Sequence, residues 1–372
     1  LKLVITLKIG TNKKKGENML FEPVDLKDQK ARIIVVGVGG GGGNALNRMI
    51  EDGMTSVDFI AINTDAQDLE NNNSQIKLQI GKELTKGLGA GANSDIGKEA
   101  VVENKEIIVR ELNKADMVFI TAGMGGGTGT GASSIIAEIC KKNQILTIGI
   151  VTLPFTFEGF ERRKIALNGL KKLNQKLDSI ITIDNDTLLP AFNESTSLIK
   201  SFEKVDEILE QGVKGITDVI NLPGLINVDF ADLKSIIKNG GKSLMSVGYG
   251  DGKNAAINSI ESALSNPLIN ETIAEAKGIL FYIKAGNDIS LGQVHQIANK
   301  IKELTINNPK IMFGVVREKN MKRKVNITLI ATGISKTKNK TNNEILKLDN
   351  KDLIYNFNKK VSERPEQIAI NI

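Results

Sequence analysis

The sequence predicts an α/β protein in which a doubly wound, Rossmann-like domain is followed by a long central helix and a second, smaller α/β domain. Three observations support this prediction. Apolar β-branched runs, typical of strands buried on both faces of a parallel sheet, alternate with helical patterns over residues 31–195. The longest helical pattern occupies 196–222, and a second alternation of helices and strands occupies 223–335. At 372 residues the chain is long enough for two domains.

Each of the two predicted domains is an alternation of strands and helices. In the first domain the strands are predicted at 33–36, 57–62, 117–121, 145–151 and 180–183, with helices clearest at 44–51 and 132–142. The central helix is predicted from apolar residues at steps of three and four, namely Leu198, Phe202, Val205, Leu209, Val213, Ile216 and Ile220. In the second domain, helices are predicted at 229–238, 254–264 and 292–304 and strands at 243–249, 278–285, 311–316 and 325–331.

Composition excludes several kinds of functional site. The single cysteine, Cys140, excludes an internal disulfide, and the single histidine, His295, excludes a zinc site built from histidines and cysteines. A catalytic triad would have to use His295. Tryptophan is absent and aromatic residues make up 4% of the chain, which argues against stacking of nucleic-acid bases. No apolar run approaches the ~18 residues of a membrane span, so we expect a soluble, cytoplasmic protein without membrane insertion.

The net charge of +6 comes from the two ends of the chain. Residues 1–30 carry 7 Lys and Arg against 4 Asp and Glu, residues 336–372 carry 8 against 5, and residues 31–335 carry 34 of each sign. We therefore expect a neutral folded body between an N-terminal extension and a C-terminal tail that are both disordered. A neutral body gives no indication of nucleic-acid binding.

Two glycine-rich segments are the strongest functional signal in the sequence. Segment 37–43 follows the first strand and contains a GxGxxG pattern, whose bare backbone N–H groups suit phosphate at a helix N-terminus. Alone it is compatible with NAD, and Asp65 after the second strand would then bind the ribose. Segment 123–131 follows the third strand and precedes another helix. Two such N-termini at one sheet edge suit a triphosphate, with Thr128 and Thr130 as additional hydroxyl donors.

These segments belong to a set of motifs that resembles a known family. Gly125-Gly126-Gly127-Thr128-Gly129-Thr130-Gly131 is similar to the signature of tubulin-like GTPases. Four further segments resemble, in order, motifs of FtsZ, the family of bacterial cell-division GTPases: Asn63-Thr64-Asp65, Gly87-Leu88-Gly89-Ala90-Gly91-Ala92-Asn93, Pro154-Phe155-Thr156-Phe157-Glu158-Gly159 and Asn227-Val228-Asp229-Phe230-Ala231-Asp232. The likeness spans about residues 19–335. It implies that 31–195 is a GTP-binding domain and that 223–335 carries a catalytic loop.

The resemblance also implies nucleotide-binding residues by motif position. These are Gly40, Gly41, Gly42, Gly43 and Asn44 in the first glycine-rich segment, Gly127, Thr128 and Gly129 on the phosphates, Glu158 on the ribose, Arg162 near the nucleotide, and Asn185, Phe202 and Asp206 around the guanine. Guanine chemistry agrees with Asp206, because a carboxylate can accept from both N1–H and N2–H₂, a donor pair that adenine lacks. Phe202 lies four residues earlier on the same helix face and could stack beside the base. Without the resemblance, Phe202 is equally well interpreted as core and Asp206 as an exposed helix carboxylate.

Hydrolysis requires a water held in line with the phosphate and neutralisation of charge. The glycine-rich segments carry no carboxylate for that water, and Asp229 with Asp232 at a helix start form the better candidate catalytic pair. The same Asp-x-x-Asp pattern also predicts an N-cap followed by an acidic residue, and the sequence leaves both interpretations open. The resemblance implies that the pair enters the nucleotide site of a neighbouring subunit, with GTP or GDP bound and Mg²⁺ on the phosphates.

The resemblance further implies self-assembly into homopolymer filaments at the mid-cell division ring, with regulatory and membrane-tether partners. The C-terminal sequence 363–372 does not match the tether motif of the family. Two alternatives stay open from the sequence. One is a NAD-dependent dehydrogenase, which the second glycine-rich segment and the lack of a well-placed histidine disfavour. The other is a nucleotide-binding structural protein that assembles but hydrolyses little.

Overall fold

The computed structural model describes residues 31–193, 195–221, 224–226, 228–266, 272–318 and 320–334, so the predicted N-terminal extension and C-terminal tail lie outside the described residues. Strands β1 to β10 are Ile33–Val38, Asp58–Asn63, Ile76–Gln79, Met117–Gly123, Leu146–Leu153, Ser179–Asp184, Gly241–Asp251, Gly278–Ala285, Lys310–Arg317 and Lys324–Thr332. Helices α1 to α11 are Gly39–Glu51, Ala66–Glu70, Lys82–Thr85, Ser94–Glu103, Lys105–Leu112, Gly127–Lys142, Phe160–Asn174, Leu198–Asn221, Phe230–Ile237, Ala255–Leu264 and Leu291–Glu303. Short 3-10 segments cover Thr156–Glu158 and Asn185–Ala191.

The described strands form one ten-stranded sheet in the order β3-β2-β1-β4-β5-β6-β7-β10-β8-β9. The first six are parallel and follow the doubly wound order. β7 pairs with β6 in parallel through 179–181 and 241–243, and β10 runs antiparallel to β7 and β8. The predicted α/β fold class is confirmed. The second α/β unit continues the sheet of the first, which the sequence did not predict.

Both glycine-rich segments lie largely within helices. α1 begins at Gly39 and α6 at Gly127, whereas the sequence predicted helix starts at residues 44 and 132. The prediction was wrong here because glycine is a poor helix former, and propensity alone argues against a helix that opens on five glycines. Tertiary packing overrides that preference.

The packing around two of these glycines shows why a side chain is excluded. A Cβ on Gly42 would lie 2.5 Å from the carbonyl oxygen of Thr121 in β4, and one on Gly131 would lie 2.0 Å from the carbonyl oxygen of Ser94 in α4. Neither backbone atom can move aside without disrupting its own element. The glycines therefore allow α1 and α6 to pack directly on neighbouring backbone.

Helices cover both faces of the sheet. Buried side chains of α1, α8 and α9 share one core, and those of α4 to α7 share the core on the opposite face. The predicted long central helix is present as α8, and its apolar stripe contacts strands from both halves of the sheet. The division of the chain into domains at 195 and 222 stays a prediction. Among the described residues, no helix combines the length and the apolar character needed to cross a membrane.

Candidate functional site

The candidate site is a cavity of about 450 Å³ at the carboxyl ends of β1 and β4. The strand order reverses between these two strands, and open α/β sheets bind ligands in the crevice at such a point. The lining comes from the segments that follow β1, β2, β4, β5 and β6, from the loop before α4, and from α8. The volume is in the range of small-molecule sites.

Two helix N-termini without side-chain caps face this cavity. The N-cap residues, Val38 for α1 and Gly126 for α6, make no side-chain capping hydrogen bond. The Gly127 N–H donates to the Gly91 carbonyl, and the other first-turn N–H groups can bind an anionic ligand, which both helix dipoles favour. Gly39 has a φ of +70°, and a Cβ there would lie 2.9 Å from the backbone nitrogen of Gly129. The two N-termini therefore lie side by side, as a polyphosphate requires.

The two threonines of the second glycine-rich segment have different surroundings. Thr128 lines the cavity, and its hydroxyl shares a 2.6 Å hydrogen bond with the Thr64 hydroxyl. Thr130, which the sequence predicted as a second phosphate donor, is buried outside the lining. Its Oγ1 accepts a 2.8 Å hydrogen bond from the backbone of Gly125. Thr130 therefore shapes the segment rather than the cavity wall.

Of the predicted nucleotide-binding residues, Gly42 and Gly43 lie outside the cavity lining. They sit at the second turn of α1, where Gly42 packs on β4 and the Gly43 carbonyl accepts a 2.9 Å hydrogen bond from Asn72 Nδ2. Both residues point to a side of the helix different from the side that Gly40, Gly41 and Asn44 present to the cavity. The structure brings the others together: Gly40, Gly41, Asn44, Gly127, Thr128, Gly129, Glu158, Arg162, Asn185, Phe202 and Asp206 all line the cavity.

Glu158 and Arg162 form a pair beside the segment that follows β5. Glu158 Oε1 accepts a 2.9 Å hydrogen bond from the Phe155 backbone, and its Oε2 lies 3.1 Å from Arg162 Nε. These contacts fix the carboxylate against the wall of the cavity. A carboxylate has about four acceptor sites, so Glu158 can still accept from a ligand hydroxyl.

The opposite end of the cavity has the polar groups and the ring that a planar base requires. Asn185 is 4% exposed, and its Oδ1 has no hydrogen-bond partner within the described residues. A buried oxygen without a partner is costly, so it indicates a donor on the ligand. Phe202 is 38% exposed and packs edge-on against Phe155 at 5.6 Å between ring centroids. One face of the Phe202 ring therefore belongs to the cavity rather than to the core.

Asp206 is the carboxylate at this end of the cavity. Burial raises its pKa to about 7, Arg48 lowers it in part, and Glu203 raises it further. The side chain forms no ion pair with any residue that the structure describes, so the Coulombic attraction of Arg48 compensates its charge only in part. A ligand that presents hydrogen-bond donors, as the guanine edge does, would stabilise the carboxylate form.

Sequence reasoning missed part of the lining. Asn63, Asp65, Asp68 and the segment 88–91 all face the cavity. Asp68 Oδ2 accepts a 3.1 Å hydrogen bond from Asn63 Nδ2. Most of these positions fall within two motifs that the sequence analysis recognised, but only Asp65 was given a role, as a ribose ligand for NAD.

Asp229 and Asp232 lie outside the cavity lining. Asp229 is the N-cap of α9, and its Oδ1 accepts a 2.7 Å hydrogen bond from the Asp232 backbone. Both side chains are exposed. Within one chain the pair therefore has the geometry of a helix cap, and its acidic groups remain free to contact another molecule.

Two family models match the chain. The model described as "Tubulin/FtsZ family, GTPase domain" matches residues 32–193, and the model described as "FtsZ family, C-terminal domain" matches residues 241–335. The cell division protein FtsZ of Pseudomonas aeruginosa is 46% identical over 316 residues, which cover 85% of this chain and 80% of that protein. The cell division protein FtsZ of Azotobacter vinelandii is 45% identical with the same coverage.

Solved structures show the same likeness. An empty FtsZ dimer from M. jannaschii is similar with a TM-score of 0.78 and 39% identity, over 83% of this chain and 90% of that chain. A GTPγS-bound protofilament of CetZ2 from Haloferax volcanii gives a TM-score of 0.71 at 18% identity, over 85% of this chain and 98% of that chain. At that identity the second likeness concerns the fold alone.

Proposed function

This chain belongs to the Tubulin/FtsZ family of GTPases, and on that basis we propose that it polymerises head-to-tail into filaments that drive cell division. The chain binds GTP and GDP and hydrolyses GTP, while the dehydrogenase alternative has no support among the family matches. By analogy with relatives named as cell division proteins, the proposed place of action is the cytoplasm at a mid-cell division ring. Regulatory and membrane-tether partners at that ring belong to the same proposal.

The observation that carries this proposal is that the candidate catalytic pair lies away from the nucleotide cavity. Asp229 and Asp232 are exposed at the start of α9 and do not line the cavity. Exposed apolar side chains belong to the segments around the cavity, among them Leu88, Phe157 and Ile199. Exposed apolar surface of this kind is typical of interaction sites. A second copy that presents its α9 start to this surface would cover it and bring Asp229 and Asp232 to the nucleotide.

Mg²⁺ is part of the proposal. This ion is usually bound by one or two carboxylates together with substrate phosphates. Asp65 and Asp68 line the cavity, and Asp68 Oδ2 lies 3.0 Å from the position of a Cβ on Gly40 at the α1 N-terminus. No group of three or more acidic, His or Cys side chains among the described residues could hold a metal alone. The two carboxylates fit an ion that takes its other ligands from the nucleotide and neutralises phosphate charge.

Nucleotide-dependent assembly tests the proposed function. Purified protein with Mg²⁺ and GTP should form filaments that sediment and should release phosphate, whereas ATP and NAD should support neither. Light scattering and phosphate release would be followed in the same sample. Phosphate release with GTP but without assembly would contradict the filament proposal, and binding of NAD in preference to GTP would contradict the family assignment of the site.

The pH dependence of GTP binding should report on Asp206. In the free protein its pKa is about 7, and the guanine donors bind the carboxylate form. As the pH falls below 7, the binding-competent fraction falls, so GTP affinity should decrease about tenfold between pH 8 and pH 6. Because nucleotide phosphates also titrate, Asp206→Asn measured over the same range is the control, and its profile should be flatter by that factor. Parallel profiles for the two proteins would show that Asp206 does not contact the base.

A further inference from the structure

Arg163 on α7 joins the two segments that form the ribose and base end of the cavity. Its Nη1 donates to the Pro154 carbonyl at 2.9 Å, to Asp184 Oδ1 at 3.1 Å and to Asp186 Oδ2 at 3.2 Å. Its Nη2 donates to the second oxygen of Asp184. Pro154 follows β5 and Asp184 ends β6, so one guanidinium holds together the carboxyl ends of two adjacent parallel strands.

The two carboxylates extend this link into both segments. Asp186 Oδ1 accepts a 2.8 Å hydrogen bond from the Thr156 backbone, and its Oδ2 accepts from the Thr156 hydroxyl. Asp184 Oδ1 accepts a 3.3 Å hydrogen bond from the Asp186 backbone at the start of the 3-10 segment. Arg163, Asp184, Asp186 and Thr156 therefore form a closed network, which we call the Arg163 clamp.

The Arg163 clamp is sheltered from water and is more than a surface ion pair. The Arg163 side chain is 16% exposed, and both carboxylates are also largely covered. Burial works against the guanidinium charge, but Asp184 and Asp186 more than offset it, so the pKa of Arg163 is raised. The two parallel hydrogen bonds between Arg163 and Asp184 fix the relative orientation of the two side chains, which exposed ion pairs seldom do. Removal of Arg163 would leave two adjacent carboxylates without a counter-charge.

The residues that the clamp holds are neighbours of residues that line the cavity. Asn185, with its unpartnered Oδ1, lies between the two clamped carboxylates in the sequence. Glu158 follows two residues after Thr156 in the same 3-10 segment. Arg163 itself does not line the cavity. Its influence on a ligand must therefore pass through the positions of Asn185 and Glu158.

We propose that Arg163 is a positioning residue for guanine nucleotides, which fixes Asn185 and Glu158 by clamping the segments after β5 and β6. This inference rests on the proposed placement of the base at Asn185. Hydrogen-bonding groups must be held closely to the required geometry to contribute to recognition, and supporting contacts provide that restraint. Since the clamp acts at the ribose and base end, its loss should weaken GTP and GDP binding by the same factor.

A double-mutant cycle tests this coupling. Dissociation constants for GTP and GDP would be measured for wild type, Arg163→Met, Asn185→Ala and the double variant. We expect each single variant to bind both nucleotides about tenfold more weakly, and the double variant to be hardly weaker than either, because residues in one network are not additive. Arg163→Lys, which keeps the charge but not the bidentate geometry, should recover part of the affinity. Arg110→Met, at an exposed arginine of α5, is the matched control and should bind normally.

The outcomes separate this inference from the proposed function. Additive losses in the cycle, or normal binding by Arg163→Met, would overturn the positioning role while wild-type GTP binding remains intact. Wild type that fails to bind GTP would contradict the proposed function and this inference with it. If circular dichroism shows that Arg163→Met does not fold, Asp186→Asn takes its place in the same cycle, with the same expected loss of additivity.

Discussion

Asp232→Ala should abolish most GTP hydrolysis while leaving GTP binding unchanged. The Asp232 side chain is exposed at the start of α9 and does not line the cavity of its own chain, so its removal leaves that cavity intact. If the carboxylate positions the attacking water in a neighbouring subunit, steady-state phosphate release should fall about a hundredfold. The free energy of unfolding should fall by no more than about 1 kcal/mol, since the change removes one acidic side chain near a helix N-terminus.

Mixtures of Asp232→Ala with wild type provide a second test of this prediction. Each Asp232→Ala subunit should inactivate the site of one neighbour. The GTPase activity of the mixture should therefore be lower than expected from its fraction of wild-type protein. Glu106→Ala is the matched control, because Glu106 is also an exposed acidic residue in the first turn of a helix, α5. Its activity should match wild type. Normal hydrolysis by Asp232→Ala, at full assembly, would show that the pair acts only as a helix cap.

Asp206→Asn should weaken GTP binding by about 1–3 kcal/mol, which corresponds to about 5- to 150-fold, the cost of an unsatisfied buried polar group. The substitution keeps the shape of the side chain but replaces one acceptor oxygen with an amide donor, which would face the donor edge of guanine. Equilibrium titration with GTP and ATP measures the change, and discrimination between the two nucleotides should shrink with it.

Glu207→Gln is the control for this variant, because Glu207 is the adjacent carboxylate on α8 and does not line the nucleotide cavity. It should retain GTP affinity. Unchanged GTP binding by a folded Asp206→Asn variant would place the base elsewhere in the cavity, and the interpretation of the nearby Phe202 as a stacking ring would fail with it.

The long helices and strands of this fold could be predicted because each contains enough residues for its pattern of apolar positions to be recognised. The central helix was predicted at 196–222 and observed at Leu198–Asn221, and the strand at Gly278–Ala285 was predicted with the same bounds. Elements between β2 and β4 were not predicted. β3 and α3 are four residues each, which is too short for the apolar periodicity of a strand or of a helix to be recognised.

Pairing between distant strands could not be read from the sequence. The two halves of the sheet join through three paired positions, 179–181 with 241–243, and no local pattern distinguishes that contact from two separate sheets. The glycine-rich helix starts were also missed, because their conformation is set by close approach to backbone of β4 and α4 rather than by propensity.

The roles of the predicted site residues stay predictions, but their positions can be compared with the cavity. Motif positions predicted 11 of the residues that line the cavity, and it was the resemblance that distinguished Phe202 and Asp206 from a core ring and an exposed carboxylate. Gly42 and Gly43 fell outside the lining because a helix turns successive residues to different sides. The sequence could not reveal the Arg163 clamp, whose members are distant in the chain and meet only in the folded structure.

The central claim is that hydrolysis requires two copies of the chain, one that binds GTP and one that supplies Asp229 and Asp232. The most direct test is the specific rate of phosphate release, per chain and at saturating GTP and Mg²⁺, as a function of protein concentration. We expect this rate to be close to zero at nanomolar protein and to rise to a plateau as filaments form, with the Asp232→Ala variant remaining low throughout. A specific rate that stays constant down to nanomolar concentration would place the complete site within one chain and would contradict the claim.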